Sequence, residues 1–386
     1  MLPGPASGAV SLADVLRDCL AAVEPDVVEA GLNAGGAPRL DLPRVERAAV
    51  IVVDGLGADN LRARAGHARS LAAAMSGRRA VIETGVPTTT AVALTTLTTG
   101  AVPGRHGIVG YTALEPGSGR VVNQLHGFDD GTLALEWQRR PTLFERAGEA
   151  GLGAAVFGAE KHRSSGFTRA VLRGARYVGG KRIEDRMDAL SAALADASWR
   201  GIAYGYIAEL DMAGHDRGSA SDDWADALER VDAAVAALGR ALPRDAGVLV
   251  TADHGMVDLA EHQRLVVPDD SELWRGVRRL AGEHRMLHLH ADEATSPEEI
   301  AARWTESEGE RAWVATRDAA IEAGWFGAVD DAVRPRIGDV LVAARKQVAY
   351  YTETAFAGNA GRMVGQHGSW TPAETRVPLL RFGAFA

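Results

Sequence analysis

The segment Gly247-Val-Leu-Val-Thr-Ala-Asp-His-Gly255 restricts this chain more than any other. Val248, Leu249 and Val250 form an unbroken apolar run, the pattern of a strand buried on both faces. The run stops on Asp253 and His254, and Gly255 follows. Open α/β sheets keep their binding groups at the carboxyl ends of such strands. Two further runs end the same way. Ala48-Ala-Val-Ile-Val-Val-Asp54-Gly-Leu-Gly57 stops on an acid and two glycines, and Ile202-Ala-Tyr-Gly-Tyr-Ile-Ala-Glu-Leu-Asp211 leads on to His215. One acid after a strand is an ordinary turn residue or helix cap. Three, two of them close to histidine, predict a shared polar site.

Between these runs strand and helix patterns alternate. Helical spacing covers 60–75, 143–150, 183–197 and 221–242, the last with Trp224, Leu228, Val231, Val235 and Leu238 on one face. Strands are expected at 79–84 and 153–157 and in the closing apolar segment 377–382. The alternation predicts an α/β fold with a mostly parallel central sheet flanked by helices. Residues 1–44 read as an N-terminal extension, with a helix bearing Leu12, Val15, Leu16, Cys19, Leu20 and Val23 on one face and a Gly/Ala/Pro loop over 31–43. The catalytic core is expected at 45–258 and 363–386. Residues 259–362 are more charged and carry their own strands (286–290, 339–343) and helices (297–304, 317–323), so they read as an inserted, smaller α+β cap.

The run Pro87-Thr-Thr-Thr90-Ala-Val-Ala-Leu-Thr-Thr-Leu-Thr-Thr-Gly100 is ambiguous. Threonine favours strands, but Thr88 to Thr90 supply helix caps, Leu94 and Leu97 share a face, and Gly100 is a stop signal. A short buried helix starting just after Thr90 is expected.

With a net charge of −9, no broad basic surface for nucleic acid is expected. An acidic protein handling an anionic substrate must supply positive charge locally, and metal ions do so. A single cysteine, Cys19, rules out an intramolecular disulfide. No signal peptide and no run near the roughly 18 apolar residues of a membrane span is evident. A cytoplasmic location is expected, with no membrane partner and no prediction of oligomeric state.

Asp54, Asp211, His215, Asp253, His254 and His367 make three carboxylates and three imidazoles, a donor set suited to two Zn²⁺ or similar ions such as Mn²⁺. Two ions about 4 Å apart can grip both the entering and the leaving oxygen of a phosphoryl transfer. A hydroxyl from the threonine run, held by such an ion, would become a nucleophile at neutral pH.

Asp54-Gly, Pro87-Thr-Thr-Thr90, Thr99-Gly-x-x-Pro-x-x-His-Gly-Ile108, Asp211-x-x-x-His215, Ala252-Asp-His-Gly255 and Gln366-His-Gly368 stand in the order found in the alkaline phosphatase superfamily. Over residues 46–386 the chain resembles its nucleotide pyrophosphatase/phosphodiesterase (type I phosphodiesterase) branch. The resemblance implies that Asp211, His215 and His367 hold one zinc, and that Asp54, Asp253, His254 and the Thr90 oxygen hold the other. It implies that Thr90 is the nucleophile, passing through a phosphothreonine intermediate that water cleaves. Thr88 and Thr89 are its rivals in register. Two positions depart from the branch: Ala91-Val-Ala93 replaces Phe-Pro-Asn, and Tyr111 replaces an Asn that helps hold a phosphoryl oxygen.

Tyr111 is therefore a candidate substrate contact, as are Lys161 and Arg163 in the loop after the 153–157 strand. His106 is expected to be a turn histidine bonded to backbone, and His288 and His290 share one face of a strand in a surface or lid role. Asp216 and Asp258 read as caps or solvated residues, and Cys19 as a small buried hydrophobe. The expected activity is two-metal hydrolysis of phosphate diesters or nucleotide pyrophosphate bonds on a small-molecule substrate. A phosphomonoester or phosphonate hydrolase, with Lys161 or Arg163 meeting the extra charge, is the alternative. A catalytically silent phosphate-binding protein on the same fold is the third reading.

Overall fold

The computed structural model describes residues 1–6, 8–29, 38–77, 79–128 and 132–386, with backbone alone at 28, 29 and 132–134. Part of the expected 31–43 loop therefore lies outside the described residues. The central sheet has seven strands in the order Val81–Glu83, Arg376–Gly383, Ala246–Thr251, Arg47–Val53, Gly201–Ile207, Gly153–Ala159 and Arg176–Gly180. Only Arg376–Gly383 runs against the others, so the sheet is mostly parallel. Arg47–Val53 is buried at every position between its two parallel neighbours, which explains its continuous apolar run. Val52 pairs with Tyr206 on one side and Thr251 on the other, so these carboxyl ends are level. That alignment brings Asp54 and Asp253 to one edge.

The Ile202–Asp211 run is not one element. The strand ends at Ile207, and Asp211 and His215 lie on the following helix, Glu209–Arg217. Their i, i+4 spacing puts both on one helix face. The single helix expected over 60–75 is likewise broken, into Ala58–Ala63, a 3₁₀ turn at Ala65–His67 and Arg69–Ala74. Asp232, on the long helix Asp222–Ala241, restarts it by accepting from the Ser70 and Leu71 amides at 3.3 and 2.8 Å.

The N-terminal helix Leu12–Val23 is no appendage: all its residues are buried against the helix Thr90–Thr99 and the strand Arg47–Val53. Its polar residues Asp14, Arg17 and Asp18 pair among themselves, Arg17 at 3.1 Å from Asp14 and 2.9 Å from Asp18. Cys19 is fully buried beside them.

Thr90–Thr99 is helical in spite of its composition, and buried throughout. The threonine hydroxyls close onto the helix's own carbonyls: Thr95 onto Ala91 (2.6 Å), Thr98 onto Leu94 (2.9 Å) and Thr99 onto Thr95 (2.6 Å). These three hydroxyls thus carry their own partners into the core. Gly100, at φ 65°, ends the helix in the left-handed conformation that glycine adopts without strain. His106 bonds Thr96 Oγ1 at 3.0 Å and accepts from the Ile108 amide at 3.1 Å, so it is neutral, with burial holding it down at about 3.

A second, antiparallel sheet of six strands has the order Ala312–Thr316, Val340–Ala344, Met286–Ala291, Val277–Glu283, Thr112–Leu114 and Val121–Asn123. Four strands come from 259–362, and the other two are a hairpin from the first third of the chain. His288 and His290 are buried rather than on the surface, and burial lowers them to about 3 and 4. No helix among the described residues is long and apolar enough to cross a membrane.

Arg285, in the turn between two strands of the second sheet, binds Glu374 of the core through Nε and Nη2, each at 2.7 Å, and neither side chain is exposed. It also donates to the Lys346 and Val348 carbonyls at 3.0 and 2.6 Å. Arg285→Ala should destabilise the protein by about 3–5 kcal/mol in urea unfolding, because it strands a buried carboxylate. Arg285→Met combined with Glu374→Leu should cost much less, since no charge is left unpaired.

Candidate metal centre

Four segments converge at the carboxyl edge of the central sheet. Asp54 follows one strand, Asp253 and His254 follow its neighbour, Asp211 and His215 come from the helix Glu209–Arg217, and His367 arrives on the returning chain. Donor atoms of Asp211, His215 and His367 lie within 4.8 Å of one another, and so do those of Asp54, Asp211 and His254. Asp211 belongs to both groups. His215 Nε2 stands 3.3 Å from Asp211 Oδ2 and 3.3 Å from His367 Nε2. His254 Nε2 stands 3.4 Å from Asp54 Oδ1 and 3.5 Å from Asp253 Oδ2.

Each imidazole is fixed from behind. Nδ1 of His215 is 2.8 Å from the Gly365 carbonyl, that of His254 is 3.1 Å from the Gly255 carbonyl, and that of His367 is 2.7 Å from the Thr88 carbonyl. A carbonyl only accepts, so Nδ1 carries the proton and every Nε2 presents a lone pair to the centre. Metal-binding histidines are held in this way.

The acids are arranged as ligands rather than as ion pairs. Asp54 Oδ1, Asp211 Oδ1 and Asp253 Oδ2 are buried without a hydrogen-bond partner. Asp253 uses its other oxygen to accept from the Gly55 and His254 amides at 3.1 and 3.0 Å. Burial, then the charges of Asp253 and Asp211, push the Asp54 carboxyl well above its ordinary range. Burial raises Asp211 as well, against the pull of His215. Burial and the neighbouring His254 and His215 drive His367 well down. Among the described residues no lysine or arginine forms an ion pair with either acid. Three bare carboxylate oxygens facing three imidazole lone pairs are the donor set of divalent cations, and the residues fit such ions. Gly55 (φ 73°) is required here, since a Cβ would lie 3.0 Å from Asp211 Oδ1.

Of the three candidate threonines, only one is free to act. Thr88 Oγ1 is tied to the Gly368 amide (2.9 Å) and the Ser369 carbonyl (3.0 Å), and Thr89 bonds Glu283. Thr90, first in its helix, places Oγ1 3.3 Å from His254 Nε2.

A cavity of about 550 Å³ opens over the centre, lined by Thr90, Tyr111, Asp211, His215 and His367 from below and by 280–284 of the second sheet from above. Tyr111 is thus where a substrate contact was expected, on a loop fixed by Gln124 accepting from the Val109 and Gly110 amides. Lys161 and Arg163 are not brought to the cavity. Arg163 is spent on Glu160 (2.7 Å), the Tyr177 carbonyl (2.7 Å) and the Tyr177 ring. The sequence reading missed Tyr206, which donates to Asp54, and Glu283, which reaches the site from the second sheet. Tyr206 follows from strand alternation once the register is known; Glu283 had no local signal. Asp258 caps no helix but ties down the turn ahead of Asp222–Ala241, accepting from the Ser219 and Ala220 amides at 2.8 and 3.1 Å, while Asp216 is exposed.

The sequence profile of the type I phosphodiesterase / nucleotide pyrophosphatase family matches residues 48–370. No curated protein matches the chain. Among solved structures, an inactive murine ectonucleotide pyrophosphatase/phosphodiesterase 5 in complex with AMP is similar at 16% identity, over 88% of each chain, with a TM-score of 0.68. Phosphonoacetate hydrolase from Sinorhizobium meliloti 1021, in complex with phosphonoformate, is similar at 19% identity, over 88% of this chain and 91% of that one, with a TM-score of 0.69. At these identities the likeness shows a shared alkaline-phosphatase-like α/β fold.

The shared position of Asp211 generates a test by metal analysis. Asp211→Asn should empty the Asp211–His215–His367 group and only loosen the ion at Asp54, Asp253 and His254, whereas Asp253→Asn should leave the Asp211–His215–His367 group loaded. Removing metal from the native protein with a chelator should lower its melting temperature, and adding Zn²⁺ should restore it.

Proposed function

The chain belongs to the type I phosphodiesterase / nucleotide pyrophosphatase family, and on that premise we propose that it hydrolyses phosphate diesters through a phosphothreonine at Thr90. Family membership indicates a phosphoester hydrolase, and the donor set at its centre supports a metal-dependent one. The observation that carries the finer reading is Thr90 Oγ1, 3.3 Å from His254 Nε2, alone among three neighbouring threonines in having its hydroxyl directed at the centre.

Asp211, His215 and His367 would hold one divalent cation, and Asp54, Asp253, His254 and Thr90 the other, with Zn²⁺ the first candidate and Mn²⁺ the second. Bound there, the two ions would neutralise the acids, ease the loss of the Thr90 proton and draw charge off the phosphoryl oxygens. The chain's own part is placement. Thr90 Oγ attacks phosphorus, the Oγ–P bond forms, and the bond to the ester oxygen breaks in line with it. The first amides of the helix Thr90–Thr99 face the phosphoryl group, where a helix N-terminus favours an anion. Tyr111 offers a hydroxyl donor at the cavity wall. Water then cleaves the phosphothreonine and restores Thr90. Residues 259–362 act in this reading as the cap that selects the leaving group.

A diester is preferred over a phosphomonoester or a carboxylated phosphonate on grounds of charge. Among the described residues no lysine or arginine lines the cavity to meet a second negative charge. A singly charged phosphate suits that wall better than a substrate with further negative charge. The AMP and phosphonoformate seen in the similar structures fit the same small-molecule scale.

Thr90→Ala should keep the fold and most of the metal yet lose on the order of 10²–10⁴-fold in kcat. Thr90→Ser should retain part of the rate, and Thr89→Ala should stay within about tenfold of the native enzyme. With bis(p-nitrophenyl) phosphate and p-nitrophenyl phosphate, kcat/KM should favour the diester. Equal or better turnover of the monoester would move the assignment to a phosphomonoesterase, and full activity of Thr90→Ala would remove the covalent step.

A further inference from the structure

Asp54 and Asp253 each offer the centre a single oxygen. Asp54 Oδ1 and Asp253 Oδ2 are buried without a hydrogen-bond partner. The second oxygen of Asp253 is held by the Gly55 and His254 amides, and that of Asp54 by the Tyr206 hydroxyl. Asp211, in the other group, differs: its Oδ1 is unpartnered and its Oδ2 faces the His215 Nε2 lone pair at 3.3 Å. Strand register builds the contact to Tyr206. Val52 pairs with Tyr206, and Asp54, two residues beyond Val52, projects to the same face. The Tyr206 ring is fixed in turn by stacking on Tyr204, with 6.4 Å between centroids and 11° between planes.

We propose that Tyr206 is a positioning residue for the ion at Asp54, Asp253 and His254, and that its hydroxyl makes this position favour Zn²⁺ over Mn²⁺. The inference rests on the two-ion reading above and names the group that sets the choice of ion within it. A carboxylate with one oxygen tied to a donor meets a cation through the other oxygen alone. Two such acids, one imidazole and Thr90 make four donors, the number that suits Zn²⁺, whereas Mn²⁺ favours six mostly oxygen ligands. Without the hydroxyl, Asp54 is free to turn and grip an ion with both oxygens, which suits the higher coordination number. Donors behind a ligand commonly govern its affinity in this way.

The test is Tyr206→Phe, which removes one oxygen and leaves the ring to stack. Zn²⁺ and Mn²⁺ affinities are read by competition with a chromophoric chelator, without turnover. One Zn²⁺ should bind roughly 10–100-fold more weakly than in the native protein, and the other should not change. Mn²⁺ at the weakened position should lose less, so that its preference for Zn²⁺ falls by about tenfold. Both ions are measured on the same protein, so a smaller folded fraction cancels from this ratio. In Asp253→Asn, where the Asp211–His215–His367 group stays loaded, adding Tyr206→Phe should leave the remaining ion unaltered. Co²⁺ supplies a spectroscopic check. It absorbs visible light strongly when four-coordinate and weakly when six-coordinate, so Co²⁺ at the weakened position should lose intensity. Tyr204→Phe, which removes the neighbouring hydroxyl that has no partner, should change none of these readings. Equal losses for Zn²⁺ and Mn²⁺, losses at both positions or no loss at all would overturn the proposal while the phosphoester reading stands. If the native protein takes up no divalent cation, the proposal and the metal-dependent reading fall together.

Discussion

Three carboxylates buried side by side, with no lysine or arginine in an ion pair with them among the described residues, are the constraint on which this structure turns. Asp54, Asp211 and Asp253 each leave an oxygen without a partner in the interior. Uncompensated charge at such depth is among the most costly arrangements a protein can hold. Burial and neighbouring acids push Asp54 above its ordinary range, and burial pushes Asp211 the same way. The parallel sheet brings two of the acids together by levelling neighbouring strand ends, and one helical turn adds the third. A fold that concentrates acid in this way is stable to the extent that something positive sits among them.

The surrounding shells fix the donors in one pose. Three histidines spend Nδ1 on backbone carbonyls, which leaves no choice of tautomer and aims every Nε2 inward. His367 depends on more than its own hydrogen bond. Its segment runs through Ser369, whose amide donates to Glu374 at 2.9 Å, and Glu374 is held by Arg285 from the second sheet. One buried ion pair thus locks the roof of the cavity to the segment that carries a ligand. The roof and the metal centre keep their relative position for the same electrostatic reason that makes the pair costly to break.

The nucleophile helix shows how a poor local sequence becomes a rigid one. Threonine is a weak helix former because its hydroxyl competes for backbone groups. Here Thr95, Thr98 and Thr99 satisfy that competition inside the helix, on carbonyls four residues back, and Thr96 bonds His106. The two threonines preceding the helix are tied elsewhere, Thr88 to the His367 segment and Thr89 to Glu283. What remains is one hydroxyl, on Thr90, facing the imidazole edge of His254.

Much of this was legible in the chain itself. Continuous apolar runs ending on Asp54 and Asp253 announced buried parallel strands with chemistry at their ends, because burial on both faces removes alternation. The Asp211-x-x-x-His215 spacing was visible too, though only the structure moved it from a strand end to a helix, since an apolar run of that length does not show where strand gives way to helix. Position 90 was preferred by motif, and only the hydrogen bonds of Thr88 and Thr89 separated it from its neighbours. Tertiary structure alone decided that Lys161 and Arg163 stay away from the cavity, that Glu283 enters it, and that Thr112–Leu114 and Val121–Asn123 complete a sheet built mainly from residues far along the chain. The physical reason is the same in each case. Local sequence encodes period, capping and charge, whereas which distant side chain meets which is set by strand pairing and burial across the whole fold.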